Sequence, residues 1–357
     1  MKLTESQNIA IKNVSEYINE RKGKYIDTTE MILYQSNIDN SVFNKYCENV
    51  IKYSQIALHF HPDRIYSRDT NVIDGMLQSG IYKNQFETNI SAGSVSAFSG
   101  GNRDKWEKEI FKGAYQFAKP SERPKYGSLN LTLTEDGPSP RFGSCYFLLK
   151  PEVKKRATFT YGDTYDSPLE LGTIDNFELI NAGLLKDLFT RGTALGEKDM
   201  NVIDFLELVN RLLPQSTYLR KYRKNSKNLD FYIEAQIHGD ILLDKDIDSL
   251  VVDLSYWGTD IATQLETLCE KYDIGLIWNS GLELEVSEFP NNFRGAEVPF
   301  YAEKFGIDGK LNAYLIGRAS KQMNQEHDNL QILKYLWHCA VRFGKEIKMP
   351  APNNKYT

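Results

Sequence analysis

The stretch "DFYIEAQIHGD" at 230–240 alternates strictly, with Phe231, Ile233, Ala235 and Ile237 against Tyr232, Glu234, Gln236 and His238. Successive side chains of a strand point to opposite faces, so one face suits a core and the other presents a carboxylate among hydrogen-bonding groups. A carboxylate held on a rigid strand can stabilise positive charge developing in a transition state. A second concentration of chemistry is "LHFHPDR" at 58–64. There His59 and His61 share one face of a strand end, and Asp63 and Arg64 follow the bend at Pro62. His-x-His beside an aspartate is a metal-ligand pattern. One reading of the chain is therefore a metal-dependent hydrolase or nuclease using His59, His61 and Asp63. Taken alone, the segment better fits a hydrogen-bonded histidine and a salt-bridged arginine at a strand end.

Between these lies "GIYKNQFETNISAGSVSAFSGGNRDKWE", in which Gly80, Gly93, Gly100 and Gly101 punctuate a run containing Gln85, Glu87, Thr88, Asn89 and Ser91. Glycines expose backbone N–H groups that cradle phosphates, although the spacing matches neither a Walker A loop nor a dinucleotide fingerprint. Tyr126-Gly127 and Phe142-Gly143 open strand-like stretches, where a missing Cβ lets a neighbouring strand or a ligand approach. Arg156, Thr158, Thr160 and Asp163 alternate along another strand. Directly before the 230–240 strand, "TYLRKYRKNSKNL" crowds Arg220, Lys221, Arg223, Lys224 and Lys227 beside Tyr218 and Tyr222. Basic residues interleaved with aromatics suit phosphate contacts and base stacking, or simply a solvated face.

The elements that must position these groups are those of an α/β protein. Thr4 and Gln7 have capping-box spacing ahead of the stripe Leu3, Ala10, Val14, Tyr17 and Ile18, predicting a helix over 4–22 that ends at "RKGK". Strands are expected at 56–58, in "SLNLTLT" and "SCYFLLK", in "DSLVVDLSY", and in "IGLIW" and "LELEVSE". Residues 183–213 read as helical, with Val202, Phe205, Leu206, Val209 and Leu213 on one stripe, and so do "GTDIATQLETLCEKYD" and the tail from 322 to 346. The 357 residues carry 43 Lys+Arg against 48 Asp+Glu, a formal charge of -5, so any attraction to a polyanion must be local. Cys47, Cys145, Cys269 and Cys339 lack metal-ribbon or disulfide-framework spacing. No apolar run approaches 18 residues and the start lacks a signal core, which predicts a cytoplasmic protein with no membrane span.

"LHFHPDR", "GIYKNQFETNISAGS", "RPKYGSLNL", "PRFGSCYFLLKPEVKKRATFTYGDT" and "YIEAQIHGDILLDKDIDSLVVD" together resemble, over about residues 54–255, a bacterial family catalogued as a domain of unknown function. The last three also resemble ADP-ribosyltransferase domains of phage and polymorphic toxins. That resemblance implies a split pair of small β-sheets gripping NAD as co-substrate, without a metal, in a catalytic region at 51–290 between helical regions at 1–50 and 291–357. It implies Glu234 as the catalytic carboxylate, Arg64 or His61 as the first-strand NAD contact, and Ser91 with Thr88 as the second-strand hydroxyl. Gln85, Tyr126 and Gln236 complete the implied NAD contacts.

Arginine-modifying members place Glu or Gln two positions before the catalytic Glu, where this chain has Tyr232. The departure turns the expected acceptor away from arginine. Tyr218, Arg220, Lys221, Arg223 and Lys224, together with Tyr232, are the expected acceptor contacts, and nucleic acid, RNA foremost, is the expected acceptor; a protein acceptor is the alternative. The chain also resembles the ADP-ribosylating toxin of a chaperone-linked toxin-antitoxin phage-defence system, implying an antitoxin or chaperone partner. A non-catalytic binding module is a further alternative, with the polar strand face as its interface.

Overall fold

The computed structural model describes residues 2–67, 70–88, 96–215, 219–220, 228–323 and 327–348. Its main sheet has eight strands: β1 (Gln55–Phe60), β2 (Lys125–Asn130), β3 (Cys145–Leu149), β4 (Ala157–Tyr161), β5 (Leu171–Thr173), β6 (Ile233–Ile237), β7 (Ile247–Asp253) and β8 (Gly275–Asn279). Their order is β8-β7-β3-β1-β2-β6-β4-β5. Every neighbouring pair is antiparallel except β7 with β8. Parallel neighbours need a crossover, and a helix supplies it here. The helices of two turns or more are α1 (Glu5–Gln35), α2 (Asn40–Tyr53), α3 (Val72–Ser79), α4 (Asn102–Ile110), α5 (Glu178–Arg191), α6 (Val202–Leu212), α7 (Asp260–Tyr272), α8 (Val298–Phe305), α9 (Ala313–Gln322) and α10 (His327–Phe343).

The α/β expectation holds. The eight strands are hydrogen-bonded continuously, so the division into two small sheets that the resemblance implies does not appear as a break in this ladder. Two helical expectations need correction. The capping box at Thr4 and Gln7 is present, but α1 runs on through "RKGK" to Gln35. A central glycine costs about 1 kcal/mol of helix propensity, and burial of Ile32 and Leu33 beyond it outweighs that. The 183–213 region is two helices, α5 and α6, separated by a small hairpin of Thr193–Ala194 with Glu197–Lys198.

One sheet face is apolar: Ile56, Leu58, Leu129, Phe147, Phe159, Ile233, Ala235 and Leu250 join one core with Tyr46, Val50 and residues of α5, α6 and α10. The expected stripe on α6 is buried there in full. The first half of α1 packs separately, with Ala10, Val14 and Ile18 against Phe111, Tyr115, Leu171 and Leu179, while Ile32 and Leu33 at its other end join the main core. Lys154, 2% exposed, donates to the carbonyls of Val50 and Ser54 at 3.0 and 2.5 Å. It thereby satisfies the last turn of α2 and fixes the point where β1 begins. Gly127 and Gly143 serve neighbouring strands: a Cβ on the first would lie 2.6 Å from the Ala57 carbonyl oxygen, and on the second 2.3 Å from the Phe60 nitrogen. The four cysteines are free, with Cys145, Cys269 and Cys339 buried. No helix among the described residues is long and apolar enough to cross a membrane.

Candidate active site

A cleft opens along the second face of the sheet, between the end of β1, α3, the segment 81–88, α4 and β2, with Glu234 in its wall. Glu234 comes from β6, opposite Ser128 on β2 and Thr160 on β4, and is 4% exposed. Its Oε1 accepts a hydrogen bond from Gln236 Nε2 at 3.0 Å and another from the Thr164 hydroxyl. No hydrogen bond among the described residues reaches Oε2. Burial, and then the charge of Asp163, push the Glu234 pKa up to about 7, against the pull of Arg103 and the two hydrogen bonds.

The other polar residues of β6 turn away from the cleft and support this carboxylate. Buried polar groups need partners, and Thr158 on β4, Asp163 after it and Tyr115 after α4 supply them. The Tyr115 hydroxyl meets His238 Nδ1 at 2.5 Å, and His238 Nε2 meets the Thr158 hydroxyl at 3.1 Å. The Thr158 hydroxyl donates to Gln236 Oε1 at 2.9 Å. Burial holds His238 down to about 3, so the ring is neutral. With Thr158 donating onward, His238 carries its proton on Nε2, and every bond from Tyr115 to Glu234 donates in one direction. Such a chain polarises towards its end, here the carboxylate. Tyr232, 2% exposed, donates to Asp163 Oδ2 at 2.6 Å. It braces the turn that brings Asp163 and Thr164 to Glu234, and it is not among the residues that line the cleft.

The cleft also carries two cations, Arg64 and Arg103. Arg64 is 5% exposed, and its Nη1 is buried without a hydrogen-bond partner among the described residues. The backbone fixes it, its carbonyl accepting from Val72 N at 2.9 Å and the Pro62 carbonyl from Ile73 N at 3.0 Å. Arg103, on α4, lies 4.1 Å from the Tyr126 ring centroid, and its Nε and Nη1 are likewise buried without partners. Tyr126 is held in turn, donating to Glu107 Oε1 at 2.9 Å, while Glu107 pairs with Arg123 at 2.8 Å. Burial pushes Glu107 up to about 7. Two guanidiniums with unsatisfied buried nitrogens on one cleft are costly unless an anion completes them.

The remaining expected residues divide. His61, Gln85 and Thr88 line the cleft; His61 Nδ1 meets the Ser144 hydroxyl at 3.2 Å, and burial holds its ring well below the usual histidine range. Ser91 lies outside the described residues, as do Tyr218, Lys221, Arg223, Lys224 and Lys227. Arg220 is described: its guanidinium pairs with Glu197 and donates to the Thr132 carbonyl at 3.0 Å, which ties a loop to the sheet. His59 meets the Gly143 carbonyl through Nδ1 at 3.1 Å and accepts from the Ser139 backbone through Nε2 at 3.4 Å, and burial lowers it to about 4. Asp63 packs against Gly317. Among the described residues no three His, Cys, Asp or Glu side chains are grouped to hold a metal ion. Arg103, Asp163 and Thr164 were not marked as site residues by sequence. "GGNRDKWE" held a usable signal: Gly101 caps α4, and the i, i+4 spacing then sets Arg103 and Glu107 on one helical face.

A family model described as "Protein of unknown function (DUF3626)" matches residues 55–343. That span runs from β1 to the end of α10 and includes every cleft-lining residue. No curated protein matches the chain.

Proposed function

The chain belongs to the DUF3626 family, and we propose that it is an NAD-dependent mono-ADP-ribosyltransferase acting on nucleic acid, with RNA the favoured acceptor. The observation that carries this reading is one cleft holding the Glu234 carboxylate together with two buried, incompletely bonded guanidiniums, Arg64 and Arg103. NAD needs that combination: cations for its pyrophosphate and a carboxylate beside the ribose carbon that loses nicotinamide.

In the proposed reaction the bond between ribose C1′ and the nicotinamide nitrogen breaks, and its electron pair leaves with nicotinamide. Positive charge spreads over C1′ and the ring oxygen, and the Glu234 carboxylate stabilises it more than it stabilises the ground state. The acceptor's nucleophilic atom then bonds to C1′ and releases a proton. Bound nicotinamide is itself cationic, so substrate binding favours the ionised carboxylate that burial alone disfavours. The donor chain ending at Gln236 holds Glu234 in place, and the Tyr126 ring, packed against Arg103, offers a flat surface to the nucleotide. Because unrestrained NAD consumption harms a cell, the reading includes a cytoplasmic toxin or phage-defence role with an antitoxin or chaperone partner.

The test is to incubate the full chain with NAD labelled in its adenylate, then separate RNA, DNA and protein fractions while following nicotinamide release. Label in RNA is expected. Glu234→Gln should lower turnover by about 100-fold or more, and Arg64→Gln should raise KM for NAD more than it lowers kcat. No nicotinamide release and no labelled fraction would sink the proposal; label in protein alone would move the acceptor.

A further inference from the structure

A second group of basic side chains lies beside the cleft, around Phe142 and Asp163. Arg141 belongs to the turn Pro140–Phe142, whose Phe142 lines the cleft. Lys334 and His338 are one helical turn apart on α10 and share a face. Arg294 comes from the loop before α8. The Trp337 indole donates to the Pro140 carbonyl at 2.7 Å and fixes α10 against the turn.

Four nitrogens in this group are buried without a hydrogen-bond partner among the described residues: Arg141 Nε, Arg294 Nε and both ring nitrogens of His338, which is wholly buried. Lys334 makes no ion pair among them. The nearest carboxylate bonded to the group is Asp230 on the rim, 2.7 Å from Arg141 and 3.9 Å from Arg294, with its side chain 54% exposed. Burial first, then Arg141 and Arg294, push the Lys334 ammonium below its usual range, while Asp163 pulls the other way. Burial and the same cations, with Lys334, hold His338 well below the usual histidine range, while the backbone of Arg141 beside the ring pulls the other way. The ring is therefore neutral and adds no further charge to the group. Buried like charges repel, and buried donors left open are costly, so the fold alone does not account for this arrangement. A tetrahedral oxyanion satisfies both needs.

We propose that Arg141, Arg294, Lys334 and His338 form a phosphate-binding site that holds a phosphodiester of a single-stranded nucleic-acid acceptor beside the NAD cleft. Phe231, next in the chain to Asp230 and 58% exposed, offers a stacking surface for a base. Phosphate binding stands on this cluster alone; its assignment to the acceptor strand rests on the transferase reading.

The experiment is thermal unfolding of the full chain in phosphate-free buffer, with and without inorganic phosphate, and a salt titration of binding to a short single-stranded RNA. Lys334→Met should unfold at a higher temperature than the wild type when no anion is present, because it removes repulsion and breaks no ion pair. Phosphate should raise the wild-type Tm and raise that of the variant clearly less. RNA affinity should fall about tenfold in the variant, and the slope of log K against log salt should become shallower by about 0.7, one released counterion on a single strand. Arg141→Gln is a second variant, read only by its phosphate-induced rise in Tm and its RNA salt slope, because it also breaks the ion pair with Asp230. A phosphate-induced rise as large in both variants as in the wild type overturns the site. RNA binding with unchanged affinity and slope overturns its assignment to the acceptor strand. Nicotinamide release is scored separately: its absence removes the transferase reading and leaves the phosphate result standing.

Discussion

Replacing Glu234 with Gln should stabilise the protein in a pH-dependent way while lowering the proposed NAD turnover by about 100-fold or more. The native carboxyl is raised from 4.5 to about 7, chiefly by burial. That corresponds to roughly 3 kcal/mol of disfavoured ionisation, at about 1.36 kcal/mol per pH unit. Below pH 4.5 folded and unfolded chains both hold the proton, and this residue contributes no pH dependence. Between 4.5 and 7 the unfolded chain has released its proton and the folded one has not, so stability falls as pH rises. Above 7 both are ionised and the loss is complete. Gln keeps the shape and still accepts from Gln236 and Thr164, but it carries no charge to desolvate. Urea unfolding at pH 4 should therefore find the two proteins nearly equal, and at pH 8 Glu234→Gln should be more stable by up to roughly 3 kcal/mol. In the proposed reaction, kcat/KM for NAD of the wild type should rise with pH through about 7, and kcat should do so at lower pH because bound NAD favours the ionised carboxylate. A variant no more stable than wild type at pH 8, or a gap that does not change with pH, refutes the picture of a carboxylate held at a cost for function.

Two further substitutions separate positioning from packing. Gln236→Leu removes the donor to Glu234 Oε1 without touching the cleft, so it should raise the midpoint of the pH–rate profile and lower turnover at pH 7 by about 10- to 100-fold, the value of a hydrogen bond to a charged group, with KM for NAD little changed; an unmoved midpoint would remove Gln236 from this role. Gly127→Ala places a Cβ 2.6 Å from the Ala57 carbonyl oxygen and 2.8 Å from Leu58 Cδ2, and should cost about 1–3 kcal/mol as overpacking between β1 and β2, read as a lower urea midpoint with an unchanged slope.

Local patterns were legible wherever one element fixes its own environment. The alternation at 230–240 marked a strand with one apolar and one polar face, the capping box marked the start of α1, and the stripe from Val202 to Leu213 marked the buried side of α6. The end of α1 was not legible, because a helix stops where packing stops supporting it, and its support continues past Gly23. Nor was the role of Arg220, whose partner Glu197 sits 23 positions away on a separate hairpin.

For the site, the sequence by itself determined the inventory: a carboxylate on an alternating strand, histidines and an arginine after β1, and polar residues at 85–88. Which of these share a cleft was decided by the strand order, since β1, β2 and β6 are sheet neighbours though far apart in the chain. Tertiary structure also sorted the four polar residues on and beside β6. Tyr232 meets Asp163, Gln236 meets Thr158 and His238 meets Tyr115, which leaves Glu234 lining the cleft. Period-two spacing puts all four on one face, but only the hydrogen-bonding groups that the fold brings alongside, from β4, the turn after it and the segment after α4, decide which of them lines the cleft.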